Sequence, residues 1–173
     1  MDAMENQKVT MQTGAMPSSS NNFMTDLAKR NPLNPLIRPS QVNSYHPDTE
    51  VECLLNPGVF QFRERIWLVV RVAERPEQKD GKIAFPILKN GSMEIVSFNL
   101  DDPLLDISDP REPMYNGVTY LSTLSHLRLF NSEDGIHFKD AGWPNLLGKG
   151  DLEAYGIEDC RVASMKDGSF LLT

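Results

Sequence analysis

The residues whose types best suit chemistry stand together late in the sequence. Glu158 and Asp159 are followed by Cys160 and Arg161, and the residues from Val162 onward read as a strand, so Asp159 stands at its mouth. A carboxyl group flanked by a second acid and a guanidinium has a protonation state that its neighbours tune, which suits it to proton transfer. An acid beside an arginine at a strand start is more often a structural ion pair, so residue types alone do not establish the catalytic reading. Arg71, Arg75, Arg128 and Arg161 are the basic groups near the mouths of strands expected on the inside of the fold, and a salt-bridged or solvated role is the plain reading of each. Arg71 is harder to dismiss. It interrupts the apolar run IWLVVRV, where a guanidinium without a partner is costly to bury. Glu74, three residues on, is the expected partner.

Several other chemistries are not indicated. His46, His126 and His137 are dispersed without metal-ligand spacing, and Cys53 and Cys160 are far apart with no CxxC pattern. Two buried free thiols are expected, with no zinc site and no disulfide framework. The formal charge is −7, from 17 basic and 24 acidic residues, and no basic run forms a stripe against a phosphate backbone, so nucleic acid is not an expected partner. The N-terminal MDAMENQKVTMQTGAMPSSSNN lacks both a positive n-region and an apolar h-region, and no stretch reaches about 18 uninterrupted apolar residues. A cytoplasmic protein with no membrane partner is the expectation, and a homo-oligomer is compatible with it.

The elements that must position these residues are strands. Residues 1–24 have the polar, aperiodic composition of a disordered segment. A short helix is expected from Thr25 to Arg30, capped by Thr25 or Asp26, and the proline-rich NPLNPLIRPS then favours an extended path. LLNPGVFQF and IWLVVRVAE, joined at Arg63-Glu64-Arg65, predict a β-hairpin. A second is predicted from IAFPIL and MEIVSFNL around Asn90-Gly91, and DDPLLDISDPREP reads as an exposed loop. HLRLFNSEDGIHFKD predicts two short strands about Glu133-Asp134-Gly135, and IEDCRVASMKDGSFLLT predicts another pair about Lys166-Asp167-Gly168.

The first and last pairs align weakly, Pro57 falling on Cys160, at a spacing too long for one four-stranded blade of roughly 40–50 residues. An insertion at about residues 76–124, between the second and third strands of one blade, accounts for that length better than two complete blades. The fold class is therefore all-β and radially repeated. The chain stops at Phe170-Leu171-Leu172-Thr173, inside an apolar strand. Residues 25–173 thus read as the N-terminal part of a propeller. Alone they are expected to aggregate or order incompletely, and to lack activity, because unpaired edges would stay open.

Five pieces in order resemble glycoside hydrolase family 130: NPLIRP from Asn34, Asn-Pro-Gly-Val from Asn56, LVVRVAERP from Leu68, SHLRLFNSEDGIHF from Ser125 and YGIEDCRV from Tyr155. Together they span most of the chain after Asn34. Cys160 stands where the family usually has proline. The resemblance implies a five-bladed β-propeller, of which this chain supplies about the first one to two blades, acting on β-mannosides by inverting phosphorolysis. Mannose would pass to inorganic phosphate, the co-substrate, giving mannose 1-phosphate without any other cofactor. A β-linked manno-oligosaccharide or mannosyl glycoside is then the partner. Inverting β-1,2-mannoside hydrolysis and a non-catalytic carbohydrate-binding propeller stay open, as does a scaffold for protein partners.

Residue by residue, the resemblance puts Asp159 in the place of the catalytic proton donor, working in some members through a sugar hydroxyl. Candidate substrate contacts are Asn56, Arg71, Glu74, Ser125, Arg128, Tyr155, Glu158 and Arg161. A plain turn residue is the alternative for Asn56. Of the aromatic residues that could stack on a pyranose, Trp67, Trp143 and Tyr155, the first reads as core and the last as the better platform. The groups that would grip phosphate or activate water are expected beyond Thr173.

Overall fold

The computed structural model describes residues 29–173. The chain divides into Met1–Asn31 and Pro32–Thr173, and every described strand belongs to the second unit. The disordered segment expected at 1–24 and most of the helix expected at Thr25–Arg30 lie outside the described residues; Lys29 and Arg30 are not helical. Eleven strands follow: β1 (Thr49–Phe62), β2 (Arg65–Pro76), β3 (Lys82–Lys89), β4 (Ser92–Asn99), β5 (Leu105–Asp106), β6 (Met114–Tyr115), β7 (Val118–Thr119), β8 (Leu124–Ser132), β9 (Lys139–Asp140), β10 (Val162–Ser164) and β11 (Phe170–Leu172). Among the described residues the only helical turns are two of 3₁₀ type, Pro39–Gln41 and Asp151–Glu153.

One antiparallel sheet of four strands, in the order β1-β2-β8-β9, makes a blade, and the β10-β11 hairpin begins a second sheet beside it. The residues of β2 alternate between two apolar clusters, as the two-residue period of a strand requires. Val70 and Val72 pack with Val42 and Phe130 on one face. Val69 packs with Leu127 and Cys160 on the other, together with Phe60 and Val162. A fully buried valine such as Val72, at 0% exposure, contributes roughly 1.5–3 kcal/mol. Because both faces of β2 are apolar, its sequence is a nearly continuous hydrophobic run, and Arg71 and Glu74 are the charged exceptions that need partners.

β10 approaches β1 closely because of Gly58. A Cβ there would lie 2.8 Å from Val162 Cγ2 and 3.1 Å from the Cys160 carbonyl oxygen, so a larger residue would push the two sheets apart. Phe170 of β11 completes this contact, its ring centroid 4.7 Å from that of Phe60. On the opposite face a groove of about 390 Å³ runs along β1 and β2, lined by Leu36, Ile37, Leu54, Pro57, Val59 and Phe138.

Residues 77–123 run between β2 and β8, which are neighbours in the sheet. They hold the β3-β4 hairpin and a small β5-β6-β7 sheet, joined by Phe85, Phe98, Tyr115 and Tyr120. Asn90 and Gly91 both have positive φ, as the two-residue turn of a hairpin demands. The β1-β2 turn makes the same demand of Arg63 and Glu64, at φ +48° and +60°, although neither is a residue that favours it. Two expectations about elements need correction. DDPLLDISDPREP is not only loop, since Leu105–Asp106 pairs with β6. Ile136–Phe138 form no strand, because the Asp134 carboxylate takes the backbone N–H groups of Ile136 and His137 and turns the chain there.

Candidate active site

Asn56 lies at a bulge within β1 and Asp159 lies just before β10 in the adjacent sheet, and both have φ +37°. Each precedes a residue, Pro57 or Cys160, that leads into the close β1-β10 contact. At Asn56 the β1-β2 register shifts by a bulge between Leu55 and Gly58, which turns the Asn56 side chain out of the ladder. Its Nδ2 donates to Asp159 Oδ1 at 2.9 Å across 103 residues of sequence. The weak repeat in the sequence therefore corresponds to two neighbouring left-handed corners whose side chains meet.

Arg71 projects from β2 into this corner and forks three ways. Its Nε donates to Ser125 Oγ at 2.9 Å, Nη1 to Asp159 Oδ1 at 3.1 Å and Nη2 to Glu158 Oε1. The guanidinium is mostly buried, its side chain 17% exposed, while those of Glu158 and Asp159 are 55% and 48% exposed. The hydrogen bond from Asn56, then that from Arg71, holds the Asp159 carboxyl below the usual carboxylate range, and the charge of Arg161 adds to this. Asp159 is thus an exposed anion with an amide and a guanidinium on one oxygen. A polar ligand with hydroxyl groups could exchange with those donors. Burial raises the neighbouring Cys160 thiol, an inert wall beneath the corner.

The expected site residues divide between the two faces of the blade. Asn56, Arg71, Ser125, Glu158 and Asp159 come together. Arg161 follows at the head of β10, exposed, with Nη1 on the Cys160 carbonyl oxygen at 3.0 Å. Tyr155 stands one residue before the tightly seated Gly156 and is 55% exposed, free to offer a ring face.

Glu74 and Arg128 go elsewhere, and the pairing of Arg71 with Glu74 is corrected. Three residues apart on one strand, they point to opposite faces. Glu74 is fully buried, with its carboxylate taking Tyr45 N–H at 2.6 Å, Thr49 Oγ1–H at 2.5 Å and the His126 Nε2 at 2.9 Å. Burial pushes Glu74 up, but the hydrogen bonds from His126, Thr49 and Tyr45 outweigh it and hold the carboxylate ionised. No acceptor capacity faces a ligand. Arg128 lies opposite Val70 in the ladder, on the same far face, and binds Asp140 Oδ2 and the Asn43 carbonyl oxygen.

The remaining candidates are quickly placed. Arg75 faces Glu52 at 3.7 Å. Trp67 stacks on Phe60 and donates to the Phe62 carbonyl, a packing role, while Trp143 is 66% exposed. Both cysteines are free, Cys160 buried as expected and Cys53 only half-buried. Among the described residues no group of His, Cys, Asp and Glu could hold a metal ion, and no helix is long and apolar enough to cross a membrane.

No family model matches the chain. It is 38% identical over 141 residues to the β-1,2-mannobiose phosphorylase of Listeria innocua, an alignment covering 78% of this chain and 40% of that protein. The solved structure of β-1,2-mannobiose phosphorylase from Listeria innocua in complex with β-1,2-mannobiose matches it with a TM-score of 0.68 at 35% identity, over 80% of this chain and 41% of that one. The chain is a relative of the β-mannoside phosphorylases of glycoside hydrolase family 130. It spans about two fifths of the length of the relatives it matches. The all-β propeller expected of this family is borne out, with one four-stranded blade and the opening hairpin of the next. The family-130 pieces Asn-Pro-Gly-Val and YGIEDCRV supply the two corners that meet, and LVVRVAERP supplies the guanidinium between them.

Proposed function

We propose that this chain forms part of a phosphorylase that transfers mannose from a β-1,2-linked mannoside to inorganic phosphate with inversion, giving mannose 1-phosphate. The observation that carries this reading is the corner where Asn56, Arg71 and Asp159 converge, in a chain 38% identical to a β-1,2-mannobiose phosphorylase. Asp159 is the proton donor to the departing oxygen, directly or through a sugar hydroxyl. Asn56 and Arg71 favour its anion while the site is empty of sugar. A mannoside whose hydroxyl groups take over those two donors relieves that bias, and Glu158 remains to hold Arg71 as they separate. Tyr155 offers an exposed ring for the apolar face of a pyranose.

Phosphate itself needs a cation with free donors. Arg71 is committed to two carboxylates and a hydroxyl, and Arg161 is the other cation acting on Asp159. The grip on phosphate is therefore assigned to residues outside this corner. A cytoplasmic setting belongs to the same proposal, because phosphorolysis keeps the energy of the glycosidic bond in mannose 1-phosphate for use inside the cell.

The test is to incubate the full-length protein with β-1,2- and β-1,4-linked mannobiose, with and without inorganic phosphate, and identify the product. Mannose 1-phosphate formed from the β-1,2 substrate only when phosphate is present is the expected result. Free mannose formed regardless of phosphate would make the protein a hydrolase, and no product from either substrate would leave a binding propeller.

A further inference from the structure

Gly156 sits on Ser125 more closely than any side chain allows. A Cβ on Gly156 would lie 2.4 Å from the Ser125 carbonyl oxygen and 3.1 Å from its nitrogen, and its φ of +96° is in the left-handed region. The two residues bridge in parallel, and Ile157 N–H donates to Ser125 O at 3.0 Å. Ser125 is 3% exposed, and its hydroxyl accepts Arg71 Nε–H. One serine thus holds, by its backbone, the loop that carries Glu158 and Asp159, and by its side chain, the guanidinium that grips both acids.

We propose that Ser125 and Gly156 are positioning residues, which set where Asp159 stands relative to Arg71, and that Ser125 is not a sugar ligand. The proposal rests on Asp159 being the proton donor. The groups facing Asp159 are Asn56 from β1, Arg71 from β2, Arg161 at the head of β10 and Glu158 on its own loop. The Ser125 side chain touches this set at one atom, the Arg71 Nε. Without that acceptor the guanidinium loses one of three anchors and is free to follow the more exposed Glu158 away from Asp159. The Asp159 carboxyl then returns toward its ordinary range and keeps its proton to higher pH.

The experiment measures kcat and KM against pH for phosphorolysis of β-1,2-mannobiose by the full-length protein carrying Gly156→Ala, Gly150→Ala, Ser125→Ala, Ser125→Thr or Asp159→Asn. Gly150 is the control for backbone strain alone, since its φ is +70° and a Cβ there meets nothing within 4 Å. Gly156→Ala is expected to lower kcat about 100-fold, the effect of roughly 1 Å of misplacement, and Gly150→Ala less than about threefold. Ser125→Ala is expected to lower kcat about tenfold and to move the limb on which activity falls with rising pH to higher pH, while Ser125→Thr restores both. If Gly156→Ala does not fold, the Ser125 pair decides the matter alone, because it changes no backbone position.

Equal kcat for Gly156→Ala and Gly150→Ala would overturn the seat. A raised KM with unchanged kcat and pH profile in Ser125→Ala would make Ser125 a sugar ligand after all. If those results came with an inert Asp159→Asn, positioning alone would be wrong; an active Asp159→Asn would remove the proton-donor reading and this proposal with it.

Discussion

Asp159 and Glu74 are carboxylates held against opposite faces of the same blade, and the neighbours of each keep it ionised. Their surroundings differ in every other respect. Asp159 is about half exposed, shares one oxygen between an amide and a guanidinium, and leaves the other open. Glu74 is completely buried, and its donors, a backbone N–H, a hydroxyl and an imidazole, take up both oxygens. Favouring the anion serves two purposes here. Within the sheet, Glu74 ties the Tyr45–Thr49 segment to β2 and β8, and its network contributes to folding. At the corner, the charge is exposed to water and contributes little to stability, but a ligand can reach it.

The sharpest way to break this contrast is to neutralise each carboxylate. Asp159→Asn is expected to reduce phosphorolysis of β-1,2-mannobiose by 100-fold or more, about the contribution of a general acid, with the urea midpoint unchanged. Wild-type turnover in that variant would show the corner to be a structural ion pair. Glu74→Ala should do the reverse. It leaves His126, Thr49 and the Tyr45 N–H facing a void and is expected to cost about 3–5 kcal/mol in urea unfolding, with kcat/KM per folded molecule nearly unchanged. A loss confined to turnover would put Glu74 in the site.

Acid titration sharpens the same comparison. The folded-state value of Glu74 is depressed, so its contribution is fully present above the ordinary range of a glutamate and is lost as pH falls through the folded value. Stability of the wild type is therefore expected to fall more steeply below about pH 4 than that of Glu74→Ala. Parallel curves from guanidinium unfolding at each pH would count against the buried network.

The sequence shows the strands and one half of this contrast. Three hairpins, one of them inside the insertion, were legible because Arg63-Glu64, Asn90-Gly91 and Lys166-Asp167-Gly168 separate dense apolar runs. Arg71 was legible as a buried charge in need of partners. Its choice of partners was not, because that depends on a contact with β10 that only chain folding brings about, 88 residues away from Arg71 at Asp159. Glu74 and Arg128 looked like site residues because they stand beside Arg71 and Ser125 in sequence, yet the alternation of a strand sends them to the other face. That signal was available: Val70, Val72 and Glu74 share a parity, and Arg71 has the other. Gly156 stands within YGIEDCRV, but its need for glycine arises from a carbonyl oxygen at Ser125, a contact that the sequence does not reveal.

Arg128 gives the mildest test. It lies across the sheet from the Asp159 corner and holds Asp140 and the Asn43 carbonyl oxygen, so its role is to fasten the edge strand β9 and the Val42–Asn43 segment to β8. Arg128→Ala removes one ion pair and one hydrogen bond at a partly buried position, where the side chain is 15% exposed, and is expected to cost about 1–2 kcal/mol. Because nothing in that contact touches Arg71, Ser125 or Asn56, KM and kcat for phosphorolysis should stay within about twofold of wild type. The measurement that checks this is a saturation curve with β-1,2-mannobiose beside a urea melt of the same sample. A tenfold rise in KM at unchanged stability would mean that the two faces of the blade are not separate, and that a sugar reaches past the sheet edge to the far side.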